Sequence, residues 1–462
     1  FRNDLRLDDN PALEAAAQRG AVLPVYIWAP REEGAWPPGA ASRWWLHQSL
    51  LAFGKDLKKK SLSLVLRIGP TLPQLRDLLV ETGADAVYWN RRYEPAGRER
   101  DEKIQRALRA EGFAAESFQA SLLFEPWEIK TQGGGPYQVF TPFWRACLAK
   151  PEPDPPIPKR RRLQGSSVEL ASLSLEYLKL EPEYEWAKGI AKAWRPGEAG
   201  AVRELGRFLD QAIERYPKDR DRPALTGTSR LSPHLHFGEI SPRRIWHELR
   251  SHSAAVYLKE LGWREFAHHL LFHFPQTPQD PLRRDFERFP WRSDARALKA
   301  WQRGKTGYPL VDAGMRELWR TGWMHNRVRM IVASFLVKDL LLPWQEGARW
   351  FWDTLVDADL ANNTLGWQWS AGCGADAAPY FRVFNPLSQG EKFDPGGRYL
   401  RKWLPELAKL PDRWIHRPFA APAEVLAKAG IELGRTYPFP LVDHGDARAF
   451  ALRAFHAMKK LA

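Results

Sequence analysis

The stretches AVLPVYIW (21–28), SRWWLHQSLLAFGKDLKKK (42–60) and LSLVLRIG (62–69) decide the fold of the N-terminal region. The first and third are apolar runs that indicate buried strands, and the second has the spacing of an amphipathic helix. The alternation continues through a helix over 71–82, the strand AVYWN (86–90), a charged helix over 97–111 and a strand near 113–118. Strands separated by segments of helical length predict a doubly wound parallel α/β sheet.

The rest of the chain has a different pattern. Residues 126–195 lose the alternation and have linker composition, with Gly133–Gly135 and the proline-rich stretch PEPDPPIPKRRRL (151–163). The remaining sequence has helical periodicity almost to its end. We therefore predict an α/β domain over 1–125, an interdomain linker over 126–195 and a larger all-helical domain over 196–462.

Composition narrows the class of protein. Of the 462 residues, 44% are hydrophobic, which excludes intrinsic disorder of the whole chain. The longest apolar candidate, Met330–Trp344, is broken by Lys338 and Asp339, so no membrane span is expected. The N-terminus FRNDLRLDDN has no apolar signal core, which predicts a cytoplasmic protein. The net charge, 69 − 55 = +14, favours a polyanionic partner, with nucleic acid ahead of a membrane surface.

Standard catalytic and ligand-binding motifs are scarce. Cys147 and Cys373 cannot build a disulfide framework or supply a four-cysteine metal site, and reduced thiols are the simpler interpretation. The sequence has no G-x-G-x-x-G, no Walker A loop and no G-x-S-x-G elbow. His269 and His273 have the i, i+4 spacing of metal ligands, but without a third ligand in evidence we interpret them as packed histidines and predict no metal.

Two polar segments remain as candidate sites. In GTSRLSPHLHFGEISP (227–242), the hydroxyls of Thr228, Ser229 and Ser232 surround Arg230, a pattern that suits either a phosphate at a helix N-terminus or an ordinary cap.

The second segment, within 352–386, places acidic, amide and aromatic residues together. Its members are Asp357, Asp359, Asn362, Asn363, Trp367 and Trp369. The two acids could bind a metal or accept hydrogen bonds from a ribose or a heterocycle, and a solvated loop is the alternative. Adjacent asparagines compete with the helical backbone for hydrogen bonds, which favours a functional use.

Long strings spread in order over the chain allow a comparison with known families. They are FRNDLRLDDNPAL, TSRLSPHLHFGEISPR, ELGWREF, GKTGYPLVDAGMREL, TGWMHNRVRMIVASFLVKDLL and DADLANNTLGWQW. The sequence resembles the photolyase/cryptochrome flavoprotein family, most of all a bacterial cyclobutane pyrimidine dimer photolyase of the plant-cryptochrome-like branch. Family chains begin a few residues earlier, so we expect this N-terminus to be clipped.

The resemblance implies an α/β antenna domain followed by a larger helical domain that binds FAD. The positions it assigns to FAD are Tyr216, Thr228, Ser229, Arg230, Leu231, Ser232, Arg264, Arg329, Asp357, Asp359 and Asn363. Of these, Asn363 corresponds to the residue facing the flavin N5 atom. Plant cryptochromes carry an acid there, so the amide favours a photolyase.

The implied reaction is light-driven repair of cyclobutane pyrimidine dimers in UV-damaged DNA. Excited, reduced FAD would pass one electron to a flipped-out dimer, and the electron would return after the ring splits. The catalytic positions implied are Glu260, Trp263, Asn326, Met330, Asn363 and Trp369. The (6-4) photolyases have histidines where this chain has Asn326 and Met330, so dimer repair is the better fit.

Two further sets come from the same resemblance. Trp291, Trp344 and Trp367 match the tryptophan chain that photoreduces FAD. The positions implied near DNA are Arg220, Glu260, Trp263, Asn326, Arg327, Arg382 and Gln389. Arginine contacts with phosphate would position DNA without reading its sequence.

Other interpretations stay open. Ala96 and Gly97 replace the Asn-Glu pair that holds folate in one branch, which argues against a folate site of that type. A folate at a different site, a flavin antenna and no antenna chromophore are the alternatives. A signalling cryptochrome, a (6-4) photolyase and a DNA-binding flavoprotein without catalysis are the alternative functions. We expect a monomer without an obligate protein partner.

Overall fold

The structure is a computed structural model of the 462-residue chain and describes residues 1–182, 185–377 and 381–460. The chain divides into two compact units. Unit 1 comprises 1–214, 229–275 and 356–361, and unit 2 comprises 215–228, 276–355 and 362–462. The segments expected from composition, 1–125, 126–195 and 196–462, do not coincide with these units and stay predictions about domain organisation.

The strands of unit 1 are parallel, as predicted. Strand β1 (Val25–Trp28) pairs with β2 (Val65–Ile68), and β3 (Ala86–Asn90) pairs with β4 (Ala114–Phe118). They form two separate pairs in the described residues, not one continuous sheet. Strand β1 begins later than the predicted 21–28 because Pro24 has no N–H to donate. Its carbonyl still accepts the N–H of Val65 at 2.9 Å.

Helices connect and cover these strands. They are α1 (Pro11–Arg19), α2 (Ala40–Lys58), α3 (Thr71–Thr82) and α4 (Pro95–Ala110). The side chain of Asn10 caps α1 by accepting the N–H of Leu13 at 3.1 Å, and Pro11 occupies the first helical position. Leu79, Ile104 and Leu108 form a core with β4.

The chain after β4 is predominantly helical in the described residues, which confirms the predicted all-helical second half. In unit 1 the helices are α5 (Phe140–Leu148), α6 (Lys188–Ala193), α7 (Glu198–Gln211), α9 (Ser232–His236), α10 (Pro242–Glu248) and α11 (Ala255–His273). Those of unit 2 are α8 (Tyr216–Asp219), α12 (Ala295–Gln302), α13 (Pro309–Thr321), α14 (Asn326–Ser334), α15 (Trp344–Thr354), α17 (Pro386–Phe393), α18 (Arg398–Trp403), α19 (Asp412–Ile415), α20 (Ala423–Ala429) and α21 (His444–Lys460).

Some elements depart from this regular pattern. Helix α16 (Leu360–Ala371) begins in unit 1 and continues in unit 2. A π-helical turn, Phe335–Asp339, follows α14 directly. Single 3₁₀ turns occur at Pro30–Glu33, Leu175–Leu178, Glu185–Ala187, Leu249–Ser251, Arg284–Arg288, Pro405–Leu407 and Pro418–Ala420. None of the helices in the described ranges combines the length and apolar character that a membrane crossing requires.

The segment expected to be a linker also contains packed structure. Helix α5 lies within it and contacts α11, and this contact requires a glycine. A Cβ atom at Gly262 would lie 2.6 Å from Cε3 of Trp144, so only a residue without a side chain lets the indole lie this close to α11. Composition alone gave no sign of this packing.

The buried carboxylate of Glu239 forms hydrogen bonds with residues that are far apart in the sequence of unit 1. Its Oε1 accepts the indole N–H of Trp45 at 3.0 Å and the backbone N–H of Gly197 at 2.7 Å. Its Oε2 is hydrogen-bonded to Nδ1 of His234. The side chain of Glu239 is fully buried, so these partners replace the water that would otherwise solvate it.

Glu239→Ala should destabilise the protein by about 3 kcal/mol, because it leaves two buried N–H groups without an acceptor at about 1–3 kcal/mol each. The midpoint of urea unfolding, followed by circular dichroism, measures this. Glu169→Ala, at an exposed position, is the matched control and should change stability by no more than about 0.5 kcal/mol. Equal midpoints for the two variants would contradict the assigned role of Glu239.

Candidate functional site

Asp359 lies at the centre of a buried cluster in unit 1. Its Oδ2 is 3.4 Å from Nε2 of His268 on α11 and 3.9 Å from Nδ1 of His236 on α9. The other ring nitrogen of His268, Nδ1, donates to the carbonyl of Arg264 at 3.0 Å, which orients the ring toward Asp359. The backbone N–H of Asp359 donates to the carbonyl of Asp357 at 2.8 Å, which forms a tight turn in the loop between α15 and α16.

The charges of this cluster depend on one another. Burial alone would raise the pKa of the Asp359 carboxyl, but His268 and His236 hold that pKa well below its usual range. Burial alone would lower the pKa of His268, yet the neighbouring Asp359 raises it. The geometry therefore favours a carboxylate–imidazolium pair that is shielded from water.

Arg264 and Glu265, on α11, hydrogen-bond to the backbone of the loop that contains residues 121–124. Nη1 of Arg264 donates to the carbonyl of Ser121 at 2.6 Å. Oε2 of Glu265 accepts the backbone N–H groups of Leu123 at 2.9 Å and Phe124 at 3.1 Å. Burial raises the pKa of Glu265 to about 7, although Arg264 and these hydrogen bonds oppose the shift.

Glu260 and Trp263 occupy a partly exposed face of α11. They are three residues apart and so are neighbours on the helix surface. The ring of Trp263 stacks on Phe140 of α5, with centroids 3.9 Å apart and an interplanar angle of 9°. This contact holds one face of the indole and leaves the side chain partly open to a ligand.

The segment around Ser229 is held by unit 1 itself. The hydroxyl of Tyr257 donates to Oγ of Ser229 at 2.8 Å, and Nη2 of Arg207 donates to its carbonyl at 3.3 Å. Arg230 has a left-handed backbone, with φ +57°, and its guanidinium lies 4.1 Å from the ring centroid of Trp194. Leu231 is buried, whereas Ser232, the first residue of the five-residue helix α9, is exposed.

In unit 2, α14 carries several predicted residues. Asn326 is its first residue, and Met330 lies one turn later. Nη2 of Arg327 forms an ion pair with Asp221 at 2.9 Å. Nε of Arg329 donates to the carbonyl of Met324 at 2.7 Å.

The predicted electron-transfer tryptophans all belong to unit 2. Trp344 and Trp367 are 2% exposed, and Trp291 is intermediate. A Cβ atom at Gly347 would lie 2.0 Å from Cη2 of Trp367, so this glycine admits the indole against α15. The ring of Trp367 also packs on Phe351 of the same helix, with centroids 5.0 Å apart, and Trp344 is the first residue of that helix.

The remaining predicted residues of unit 2 lie on several elements. The side-chain amide of Asn363 donates to the carbonyl of Ala348 at 3.0 Å, which fixes its orientation. Tyr216 is buried in α8, and the guanidinium of Arg220 lies 5.3 Å from its ring centroid. The ring centroids of Trp369 and Phe384 lie 6.4 Å apart, and the guanidinium of Arg382 lies 4.6 Å from the centroid of Phe384. Thr228 is the last residue of the segment 215–228, and Gln389 is on α17.

The chemistry of these side chains fits FAD. The indole Nε1 of Trp367 in unit 2 and Nδ1 of His236 in unit 1 are buried without hydrogen-bond partners among the described residues. Asp359 adds a buried acceptor, and Ser229 and Asn363 add polar groups of fixed orientation. Considered separately, each unit thus contains buried polar groups that can bind a polar cofactor such as FAD.

His269 and His273 do not form a metal site in the described residues. Nδ1 of His269 donates to the carbonyl of Pro126 at 3.2 Å, and its Nε2 accepts the N–H of Tyr137 at 3.0 Å. Nε2 of His273 bonds to the same carbonyl of Pro126 at 3.1 Å. The described residues contain no cluster of three or more His, Cys, Asp or Glu that could hold a metal ion.

Sequence reasoning missed the most strongly coupled residues of the cluster. The i, i+4 spacing singled out His269 and His273, although it is the preceding histidine, His268, that contacts Asp359. His236 stood within a quoted motif without an assigned role. A histidine preceding an i, i+4 pair carries no signal of its own, because its partner lies about 90 residues away in the sequence.

The coupling of Asp359 and His268 makes stability depend on pH. The pKa of Asp359 is lowered, so its contribution is present above the unfolded value of about 3.9 and is lost as the pH falls through the folded value. The pKa of His268 is raised, so its contribution is complete below about 6.5 and is lost as the pH rises through the folded value. Asp359→Asn should therefore cost more stability at about pH 6 than at about pH 8.5.

Urea unfolding at both pH values measures this difference, and the NMR titration of His268 Cε1–H should move to lower pH in the variant. Asp154→Asn, at an exposed position in unit 1, serves as the control. An equal cost of Asp359→Asn at the two pH values would show that the pair does not form.

Comparison with known proteins matches both halves of the chain. Residues 1–160 match the family model described as DNA photolyase, and residues 257–457 match that described as FAD binding domain of DNA photolyase. The chain is 52% identical over 469 residues to the deoxyribodipyrimidine photo-lyase of Agrobacterium fabrum (strain C58 / ATCC 33970), covering 100% of this chain and 97% of that protein. It is 42% identical over 480 residues to cryptochrome-1 of Arabidopsis thaliana, covering 100% and 70%.

A solved structure agrees with these matches. The bacterial class III photolyase from Agrobacterium tumefaciens superposes with a TM-score of 0.96 at 51% identity, covering 100% of this chain and 97% of that one. The expected family, the combination of a parallel α/β part with a helical part, and FAD as the cofactor are thereby confirmed. The chain belongs to the DNA photolyase/cryptochrome family and carries its FAD-binding domain.

Proposed function

We propose that this protein is a deoxyribodipyrimidine photo-lyase, a light-driven enzyme that repairs cyclobutane pyrimidine dimers in DNA. The observation that carries the proposal is the 52% identity, over the whole chain, to a relative of that name. The net charge of +14 is in keeping with a polyanionic substrate. The amide Asn363 and the absence of histidine at positions 326 and 330 favour dimer repair over signalling and over (6-4) repair.

FAD supplies, when bound, reduced and illuminated, the electron that splits the cyclobutane ring. Side chains in both units are proposed to hold it. In unit 1 these are Ser229, Arg230, Leu231, Ser232, Arg264, Asp357 and Asp359, and in unit 2 they are Tyr216, Thr228, Arg329 and Asn363. The contact of Asp359 with His268 keeps its carboxylate ionised and oriented, so it can accept hydrogen bonds from the cofactor without taking up a proton.

In unit 1, Glu260 and Trp263 are proposed to act on the dimer. The stacked contact with Phe140 immobilises Trp263 before a ligand binds. The entropic cost of ordering this side chain on binding is therefore smaller. A flat indole suits the apolar faces of two fused pyrimidines. Glu260, on the same face of α11, can form a hydrogen bond at a pyrimidine edge and stabilise charge that develops there.

In unit 2, Asn326, Met330 and Trp369 are proposed to contact the same substrate. Asn326 offers both a donor and an acceptor, the pattern that a pyrimidine edge requires. Met330 adapts its shape to an irregular apolar surface. Enzymes that react with a base must take it out of the duplex, and aromatic side chains such as Trp369 replace the stacking that is lost.

Trp291, Trp344 and Trp367 are proposed to carry electrons that restore the reduced cofactor. Trp367 packs on α15 at Gly347, and Trp344 is the first residue of that helix, which supports the assignment of both to one electron-transfer chain. Trp291 is the most exposed of the three and suits the end that meets an external reductant.

Arg220, Arg327, Arg382 and Gln389 are proposed to contact the DNA backbone. Arg327 and Arg382 each lie over an aromatic ring, at 4.5 Å from Phe393 and 4.6 Å from Phe384. These contacts orient the guanidinium groups without using all their hydrogen-bond donors. Such contacts set the position of the strand and not its sequence.

A cryptochrome-type photoreceptor is the second candidate, favoured by the 42% identity to cryptochrome-1 of Arabidopsis thaliana. Ala96 and Gly97 offer no polar side chain to a folate, so a second antenna chromophore would be a folate at a different site or a flavin. We propose further that the protein acts in the cytoplasm as a monomer. Its two cysteines, Cys147 and Cys373, are buried free thiols, which supports a reducing compartment.

Purified, reduced protein mixed with an oligonucleotide that contains one thymine dimer should restore intact thymines in light and not in the dark. Glu260→Ala and Trp263→Ala should each lower the repair yield by about tenfold or more, with FAD content unchanged, because each removes contacts to the dimer. Lys259→Ala, at an exposed position of the same helix, is the matched control and should repair normally.

Recovery counted by chromatography of the digested oligonucleotide distinguishes the candidates. Bound, photoreducible FAD without recovery would move the assignment to a cryptochrome or a (6-4) enzyme. Normal repair by both α11 variants would remove Glu260 and Trp263 from the active site.

The salt dependence of DNA binding tests Arg327. A phosphate contact contributes about 0.9 to the slope of log affinity against log salt, so Arg327→Gln should weaken binding and reduce the slope by about that amount. Asp221→Asn, which removes the competing ion pair at 2.9 Å, should act in the opposite direction. Fluorescence anisotropy at several salt concentrations measures both, with Arg349→Gln on the exposed surface of α15 as control. An unchanged slope in Arg327→Gln would exclude this phosphate contact.

A further inference from the structure

A cavity of about 210 Å³ lies in unit 2 beside Trp369. Its lining includes four cationic side chains, those of Arg283, Lys338, Arg382 and Lys459. No aspartate or glutamate belongs to this lining among the described residues. Positive charge that converges on a cavity without a matching acid is typical of an anion-binding site.

Lys338 is the most constrained of these cations, because it is only 3% exposed. It lies in the π-helical turn after α14, where its ammonium donates to the carbonyl of Arg382 and lies 4.4 Å from the ring centroid of Phe381. An ammonium has three hydrogens. The carbonyl of Arg382 is the only hydrogen-bond acceptor of this ammonium among the described residues.

The nearby acids form their ion pairs with groups other than Lys338. Asp339, the next residue, directs its Oδ1 to Nδ1 of His444 on α21 at 2.5 Å. At the opening of the cavity, Nζ of Lys459 forms an ion pair with Oδ2 of Asp285 at 3.2 Å, and each of these two side chains is more than one-third exposed. Arg382 is exposed as well. Among the described residues, the inner cations Lys338 and Arg283 thus have no carboxylate at ion-pair distance.

A buried ammonium of this kind responds to its surroundings. Burial lowers the pKa of Lys338 to about 7, with Arg382 acting in the same direction and Asp339 and Cys373 opposing it. Near neutral pH the group is thus close to half protonated. An anion held against it would stabilise the ammonium form and raise its pKa.

We propose that this cavity binds a phosphate group, with Lys338 and Arg283 as its donors, Arg382 and Lys459 at its opening, and Trp369 as the wall that the rest of the ligand contacts. The volume is below the roughly 300–1,000 Å³ of pockets that enclose drug-sized ligands, so it suits a phosphate and its sugar. Arginine and lysine together supply the charge-assisted hydrogen bonds that phosphate oxygens accept.

A phosphate can reach the cavity from the DNA backbone or from a small phosphate compound. The first source rests on the proposed function, because Trp369 is also assigned to the dimer, and a phosphate next to the damaged base would then occupy the cavity. Phosphate binding as such does not depend on repair. The two sources differ in one useful property, since an internal phosphodiester has no proton that titrates near pH 7.

The experiment uses the FAD-loaded protein and two probes, inorganic phosphate and an undamaged single-stranded oligonucleotide. Lys338→Met keeps the apolar stem and removes the charge, and should weaken binding of the responsible probe by about tenfold. Arg283→Gln should also weaken binding of that probe. Because Arg283 is less buried than Lys338, this variant keeps the proposal testable if Lys338→Met does not fold. Lys409→Met, exposed and outside the cavity, is the control and should bind like the unmodified protein.

The pH dependence identifies Lys338 as the group involved. Affinity for the oligonucleotide should fall between about pH 6 and about pH 8.5, because binding at the higher pH requires uptake of a proton. Lys338→Met should lose this dependence. The other titratable or charged groups facing Lys338 are Asp339 with its partner His444, Cys373, Arg382, Arg283 and Lys459.

Isothermal titration calorimetry of each probe gives the outcomes. Lys338-dependent binding of the oligonucleotide assigns the cavity to the DNA backbone, and Lys338-dependent binding of phosphate alone assigns it to a small phosphate compound. Either result supports the proposal, even if the protein fails to repair dimers, which would refute only the proposed function. The proposal is overturned if Lys338→Met and Arg283→Gln both bind the two probes as tightly as the control Lys409→Met does.

Discussion

A buried carboxylate can keep its charge only where other groups replace the water it has lost, and in unit 1 this requirement falls on Asp359. His268 and His236 meet it, and by doing so they fix the positions of α9 and α11 relative to the loop before α16. The face of α11 that carries Glu260 and Trp263 depends on that placement. Charge balance in the interior thus determines where the functional side chains lie.

The same principle recurs at Glu239, where two N–H donors and a histidine surround a fully buried acid. Replacing the partners of either acid by apolar residues would leave a buried carboxyl group without hydrogen-bond partners. Unit 1 therefore depends on a few internal polar contacts in addition to its apolar core. Such contacts are costly when incomplete, and each brings together segments that are far apart in sequence.

Periodicity predicted much of the fold. The helix over 71–82 and the strand over 86–90 have the predicted boundaries, because glycine, proline and alternating apolar residues are local signals. The strand at 21–28 was shortened by Pro24, and the packing of α5 on α11 was not foreseen, since the fit between Trp144 and Gly262 depends on residues more than 100 positions apart. Motifs indicated Asp359 and Trp263, but the partners that orient them, His268 and Phe140, gave no signal that distinguishes them from ordinary core residues.

In the π-helical turn Phe335–Asp339, the adjacent side chains of Lys338 and Asp339 have different hydrogen-bond partners. Lys338 points to the carbonyl of Arg382, while Asp339 reaches His444 on the last helix. A π turn accommodates one more residue than a turn of regular α-helix. Deleting a single residue here would restore the regular helix and rotate every later side chain of this element by about 100°, the angle of one helical step. The segment is consequently far less tolerant of a change in length than of a change in residue type.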